Sequence, residues 1–232
     1  MADRDFTLAQ FVSSRLSEVA DPKKAVAMAA YMKTNQPFYG VPNPGRLLIF
    51  KEIKQRPSPV NHKAYEREVR SLWRLPHREE RYLAIAYARL YPQFIAPESI
   101  RLYERMVRDG AWWDFVDEIA VHLMGQVLLK HREVTRPIIE QWIDDDDMWI
   151  RRTAILVHCR HKAQTDSAQL FDHCLRRGGE KEFFIRKAIG WALREYAKTK
   201  PAEVLTFIKK HRAQLSPLSY SEASRHLVDY AR

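Results

Sequence analysis

Met148-Trp149-Ile150-Arg151-Arg152-Thr153-Ala154-Ile155 and Phe183-Phe184-Ile185-Arg186-Lys187-Ala188-Ile189-Gly190 lie over one another at an offset of 35 residues. An aromatic residue, an isoleucine, two bases and small residues fall in register. Asp117 stands another 35 residues before Arg152, and the apolar stretch at residues 81–86 holds a similar place one unit earlier. A period of this length belongs to stacked helix pairs, in which each unit buries one face against its neighbours and the inner helices line a concave surface.

The rest of the chain agrees. Its 12 prolines fall mostly where the apolar periodicity breaks, as at Pro22, Pro57, Pro76, Pro97, Pro201 and Pro217, and it has only 7 glycines. This is the punctuation of many short helices. Residues 81–91 and 99–107 repeat apolar side chains at three and four, and no alternating run bounded by hairpin turns occurs. The expected fold is all-α: a superhelical stack of helical repeats forming a solenoid with a basic concave face. Residues 54–61 and 176–180 read as loops inside one domain spanning residues 1–232.

Lys and Arg number 39 against 29 Asp and Glu, for a formal charge of +10. That excess attracts phosphates, acidic partners or anionic surfaces, without choosing among them. No apolar run has the length of a membrane span, and Met1-Ala2-Asp3-Arg4-Asp5-Phe6 lacks a secretory pattern, so a cytoplasmic or nucleoid location is expected. Two cysteines, Cys159 and Cys174, give neither a disulfide framework nor zinc spacing. His158 and His161 stand three apart on an expected helix, but with an arginine between them and no carboxylate nearby they read as ordinary helix residues, not metal ligands. No phosphate-cradling glycine loop, Gly-x-Ser-x-Gly elbow or His-Glu-x-x-His helix is present, so neither a metal nor a cofactor is expected.

Two constellations carry chemistry. Trp112-Trp113-Asp114-Phe115-Val116-Asp117 sets two indoles and two acids in a basic chain. On a helix, Trp113 and Asp117 share a face, while Asp114 suits the helix start. Lys187, Trp191, Arg194 and Lys198 form a basic stripe around an indole, with Ile185, Ile189, Ala192 and Tyr196 on the core side. Such a stripe fits a nucleic-acid backbone. Arg152 would approach Asp117 if the repeats stack, and a buried arginine would need that carboxylate as partner. Asp144-Asp145-Asp146-Asp147 reads as the cap of the helix that begins near Met148.

Together with Ala30-Tyr31-Met32-Lys33, Phe38-Tyr39-Gly40 and Leu72-Trp73-Arg74-Leu75-Pro76, these motifs resemble, in order and over most of the chain, the AlkD-type DNA alkylation repair glycosylases, which are built from HEAT-like repeats. The resemblance implies a hydrolase: a monofunctional DNA glycosylase that removes cationic N3- or N7-alkylated purines from double-stranded DNA without base flipping. It implies Asp117 as the catalytic carboxylate, with Trp113 and Trp191 against the damaged nucleotide, Arg152 on the DNA, and Tyr31, Lys187, Arg194 and Lys198 on the DNA-binding surface. No obligate protein partner is implied, and the chain is expected to be a monomer. One position departs from the family pattern: relatives carry a glutamine shortly after the glycine of Phe-x-Gly, where this chain has Pro42, with Asn43 as a possible substitute. Two other readings stay open: a non-catalytic DNA-binding scaffold, and a HEAT-like interaction module for an acidic partner.

Overall fold

The computed structural model describes residues 6–225 and residue 227. Residues 1–5, whose sequence lacks a secretory pattern, lie outside them. In chain order the helices are α1 (Leu8–Glu18), α2 (Pro22–Met32), α3 (Asn43–Ile53), α4 (His62–Trp73), α5 (Arg78–Leu90), α6 (Ile100–Gly110), α7 (Trp113–Ile119), α8 (Gly125–Lys130), α9 (Arg132–Trp142), α10 (Met148–Leu156), α11 (Ser167–Arg176), α12 (Phe183–Ala197), α13 (Pro201–Lys210) and α14 (Pro217–Ser224). The described residues hold no β-strand, so the fold is all-α as the spacing predicts.

The 35-residue offset runs further than the sequence motifs showed. Helices α1, α3, α5, α7, α10 and α12 begin at residues 8, 43, 78, 113, 148 and 183, each 35 after the last, and α14 begins at 217, one residue short of the next step. The fifth position of successive units is therefore Tyr82, Asp117, Arg152 and Lys187, with Glu222 continuing the column.

The chain divides into two compact units, residues 1–94 and 95–232. In the first, α4 packs on α1 and α5, burying Leu16, Tyr65, Val69 and Leu72. Asp21 caps α2 by accepting from the N–H groups of Lys23 and Lys24, and Pro22 fills the first helical position, where no donor is needed. The first turn of α5 carries charge into this core. Glu79 is fully buried and accepts the backbone N–H groups of Tyr39, Gly40 and Val41 at 3.1, 2.9 and 3.0 Å. Gly40 has φ +85, and a Cβ there would lie 2.0 Å from the Asp21 carbonyl oxygen, so only glycine lets this strand of backbone reach the carboxylate. Beside it Glu80 accepts from Ser13 at 2.7 Å and from the Tyr39 hydroxyl at 3.0 Å.

In the second unit α10 is central, packing on α6, α7, α9 and α12 with Ile150, Ala154 and Ile155 fully buried. Asp147 caps it, accepting from the Trp149 N–H at 2.8 Å, as read from the sequence. Its acidic neighbours do more than cap. Asp145 takes a two-pronged hydrogen bond from Arg108 of α6 at 3.0 and 2.7 Å, and Asp144 pairs with Arg176 and Arg177 at the end of α11. The acidic run thus ties α6 and α11 to the start of α10. Residues 54–61 connect α3 to α4 as expected; of the loop expected at residues 176–180, Arg176 still belongs to α11, and the connection runs from 177 to 182. His158 and His161 depart from expectation: α10 ends at Leu156, so both lie in the turn beyond it, and both are buried.

Candidate functional site

The turn into α7 decides which indole faces outward. Ala111 closes α6 in the left-handed region, with φ 39, and Trp112 follows in extended conformation just before the helix. Because Trp112 stands outside the helical register, its ring turns inward. It meets Trp149 at 6.0 Å and Phe184 at 5.7 Å between centroids, and those two rings meet each other at 4.9 Å. Trp113, the first helical residue, is 36% exposed. Asp114 lies in the first turn of α7, where the helix dipole favours an acid, as expected.

Asp117 follows one turn after Trp113 on the same face. Arg152, its counterpart 35 residues on, grips it at both oxygens: Nε donates to Oδ1 at 2.7 Å and Nη2 donates to Oδ2 at 2.8 Å. The same guanidinium donates through Nη1 to the backbone carbonyl of Phe184 and lies 5.8 Å from the centroid of that residue's ring. One arginine on α10 therefore fixes a carboxylate on α7 against the first turn of α12. Arg152 is only 5% exposed, which leaves little of it for an outside partner, whereas the Asp117 side chain keeps 17% exposure. Burial pushes the Asp117 carboxyl above the usual carboxylate range. The hydrogen bonds and charge of Arg152 oppose that shift, and the nearby charges of Asp114 and Glu118 add to it.

Beyond Asp117 the helix changes pitch. Residues Ala120–Met124 form a π-helical turn that runs straight into α8. Single π turns inside α-helices recur at functional sites, and nothing in the apolar spacing announces this one.

The basic stripe of α12 forms as expected, with Ile185, Ile189, Ala192 and Tyr196 buried behind it and Trp191 half-buried within it. Its cations are not free-standing. Glu222 of α14, 4% exposed, accepts from Lys187 at 2.8 Å, from Arg194, and from Arg225 at 2.7 Å. Burial alone would raise the Glu222 carboxyl, but Lys187 and Arg194 outweigh it and hold the group below its usual range. Gly190 makes this possible: a Cβ there would come within 2.4 Å of the Glu222 Cβ, so a larger residue would push α14 off α12. Lys198 pairs with Glu195 of its own helix at 2.5 Å. Sequence reasoning missed Glu222, and its only signal was its distance of 35 residues from Lys187.

Tyr31, in the first unit, is 78% exposed near the end of α2. Pro42 precedes α3, and the exposed Asn43 side chain accepts from Arg46 at 3.4 Å. Trp113, Asp117 and Arg152 are thus brought together, Lys187 and Arg194 share one carboxylate, and Tyr31 and Asn43 belong to the other unit.

No helix among the described residues is long and apolar enough to cross a membrane. A comparison with curated proteins found no match. Among solved structures, a predicted DNA alkylation repair enzyme from Enterococcus faecalis is 30% identical and superposes with a TM-score of 0.79, covering 90% of this chain and 97% of that one. AlkD2 from Streptococcus mutans is 16% identical with a TM-score of 0.58, over 79% of this chain and 88% of that one, and shows the shared fold. A second Streptococcus mutans protein, smu.31, is 15% identical with a TM-score of 0.56, over 78% and 90% of the two chains. The sequence model of the DNA alkylation repair enzyme family matches residues 12–227, and with this coverage the chain belongs to that family.

Proposed function

We propose that the chain is a DNA glycosylase that hydrolyses the N-glycosidic bond of cationic N3- or N7-alkylated purines in duplex DNA. The observation that carries this reading is the Asp117 carboxylate, held at both oxygens by Arg152 yet still open to solvent beside an exposed indole.

Alkylation at N3 or N7 makes the purine a competent leaving group, so the reaction needs no general acid. As the bond from C1′ to the base nitrogen breaks, its electron pair leaves on the purine and neutralises it. Positive charge then develops on the deoxyribose, as in glycoside hydrolysis. An ionised Asp117 stabilises that charge and orients the water whose oxygen bonds to C1′, the water's proton passing to the carboxylate or to solvent. Trp113 packs on the sugar and excludes bulk water, which strengthens the carboxylate's field. Trp191 supports the backbone from the α12 stripe, and Lys187, Arg194 and Lys198 meet phosphates. Arg152 acts in this reading through Asp117, since its donors face that residue and Phe184. A carboxylate that opens beside an exposed ring also suits excision without extruding the base, unlike most glycosylases.

Chromatography of the bases released from methylated duplex DNA tests the proposal. Free 7-methylguanine or 3-methyladenine is expected from methylated duplex and none from unmethylated duplex. Tight DNA binding with no released base would make the chain a scaffold instead.

A further inference from the structure

Two ion pairs of the second unit join residues 35 apart, and they open in opposite ways. Between Asp117 and Arg152 the acid keeps the opening and the arginine is closed in. Between Glu222 and Lys187 the order is reversed: the carboxylate is buried, while the Lys187 side chain is 38% exposed and that of Arg194, a second cation on the same carboxylate, is 19% exposed. A pair that opens on its acid suits a developing positive charge. One that hides its acid and opens on its bases suits an anion.

Lys187 and Arg194 stand two turns apart on α12, which separates their backbones by about 10.5 Å along the helix axis. Alone, two like charges on long stems would repel and sample many rotamers. Here one carboxylate from α14 draws both heads in, with Lys187 donating to Oε1 at 2.8 Å and Arg194 to Oε2. Arg225 joins them on Oε1 at 2.7 Å, so three positive charges meet one negative charge and an excess of two remains. Among the described residues neither Lys187 nor Arg194 has another partner. Each gives Glu222 one N–H, whereas a lysine carries three and an arginine five, so donors are left for a ligand. The half-buried Trp191 lies between them on the same face of α12.

We infer that Glu222 is a positioning residue for DNA binding, a buried acid that holds the Lys187 and Arg194 heads in place beside Trp191. Being closed to solvent, it does not itself meet the DNA. Phosphates that reach the stripe find donors already ordered, which lowers the entropy cost of binding. This role rests on the reading of the α12 stripe as a DNA-binding surface.

Affinity of the full chain for unmethylated duplex DNA, at fixed salt, tests this. Glu222→Gln keeps the shape and removes a negative charge, so cations acting through charge alone would bind DNA more tightly in that variant. With Glu222 as their organiser, binding should instead weaken about tenfold. Coupling separates positioning from a general loosening of α14: Lys187→Ala should weaken binding measurably in the native chain and much less in the Glu222→Gln chain. Equal losses in the two backgrounds, or a folded Glu222→Gln chain that binds as tightly as the native one or tighter, would overturn the inference. If Glu222→Gln does not fold, Glu222→Asp takes its place, since it keeps the native charge and shortens the reach by one methylene. Weaker binding is again expected, and native affinity would overturn the inference. Any of these failures with base release intact would leave the glycosylase proposal standing, whereas a native chain that binds no duplex would overturn both.

Discussion

Two carboxylates, the fully buried Glu79 in the first unit and the half-buried Asp117 in the second, sit on helices that start one 35-residue step apart, and they are partnered in opposite ways. Glu79 is spent. Three backbone N–H groups converge on it and no part of its surface is open. Among the described residues Asp117 is held by Arg152, which takes both oxygens, and its side chain keeps 17% exposure one turn after the exposed Trp113. A carboxylate satisfied by backbone fixes a loop. One oriented by a single buried arginine, with an open face, can act on something that arrives.

Substitutions should separate the two kinds. Glu79→Ala strands three buried donors at roughly 1–3 kcal/mol each, so denaturant unfolding should register a loss of about 3 kcal/mol or more. A variant of wild-type stability would mean that residues 39–41 find other acceptors. Arg152→Ala breaks a buried pair and should cost about 3 kcal/mol of stability and most of the base release. Because Arg152 is not a phosphate contact in this account, the salt dependence of duplex binding should keep its slope. A shallower slope would place its guanidinium on the DNA.

Asp117 must be ionised to act, and burial raises its pKa. Base release should therefore fall as pH drops, with a midpoint above the ordinary aspartate value of about 3.9. A folded-state pKa above the unfolded one makes the folded chain bind the extra proton. The contribution of Asp117 to stability thus grows as pH falls through that window, and activity should disappear before the fold does. Simultaneous loss of activity and of circular dichroism signal would contradict this ordering. The smallest effect is expected from Lys187→Ala, which should lower the salt slope of DNA binding by about one and leave the excision step on bound DNA nearly unchanged.

Much of this was legible in the sequence. Apolar spacing and proline punctuation gave the helices, the two copies at residues 148–155 and 183–190 gave the period, and four-residue spacing put Trp113 and Asp117 on one face. What stayed hidden has physical reasons. Which of two adjacent indoles turns inward depends on Trp112 lying before the helix, where helical periodicity no longer applies. Glu222 was invisible because the first turn of α14 lacks the aromatic, isoleucine and paired bases that mark α10 and α12, so the repeat fades where its acidic partner lies. The π turn after Asp117 changes hydrogen-bond pitch without changing which residues are apolar.

In the proposed reaction the charge on Asp117, and not the shape of its side chain, drives base release. The direct measurement compares Asp117→Asn with the native chain for release of 7-methylguanine from methylated duplex DNA, with duplex affinity and folding checked on the same samples. Release should fall by about 10²- to 10³-fold with DNA binding unchanged or tighter, since a negative charge facing the phosphates has gone. Release at the native rate from a folded, DNA-binding Asp117→Asn chain would contradict it.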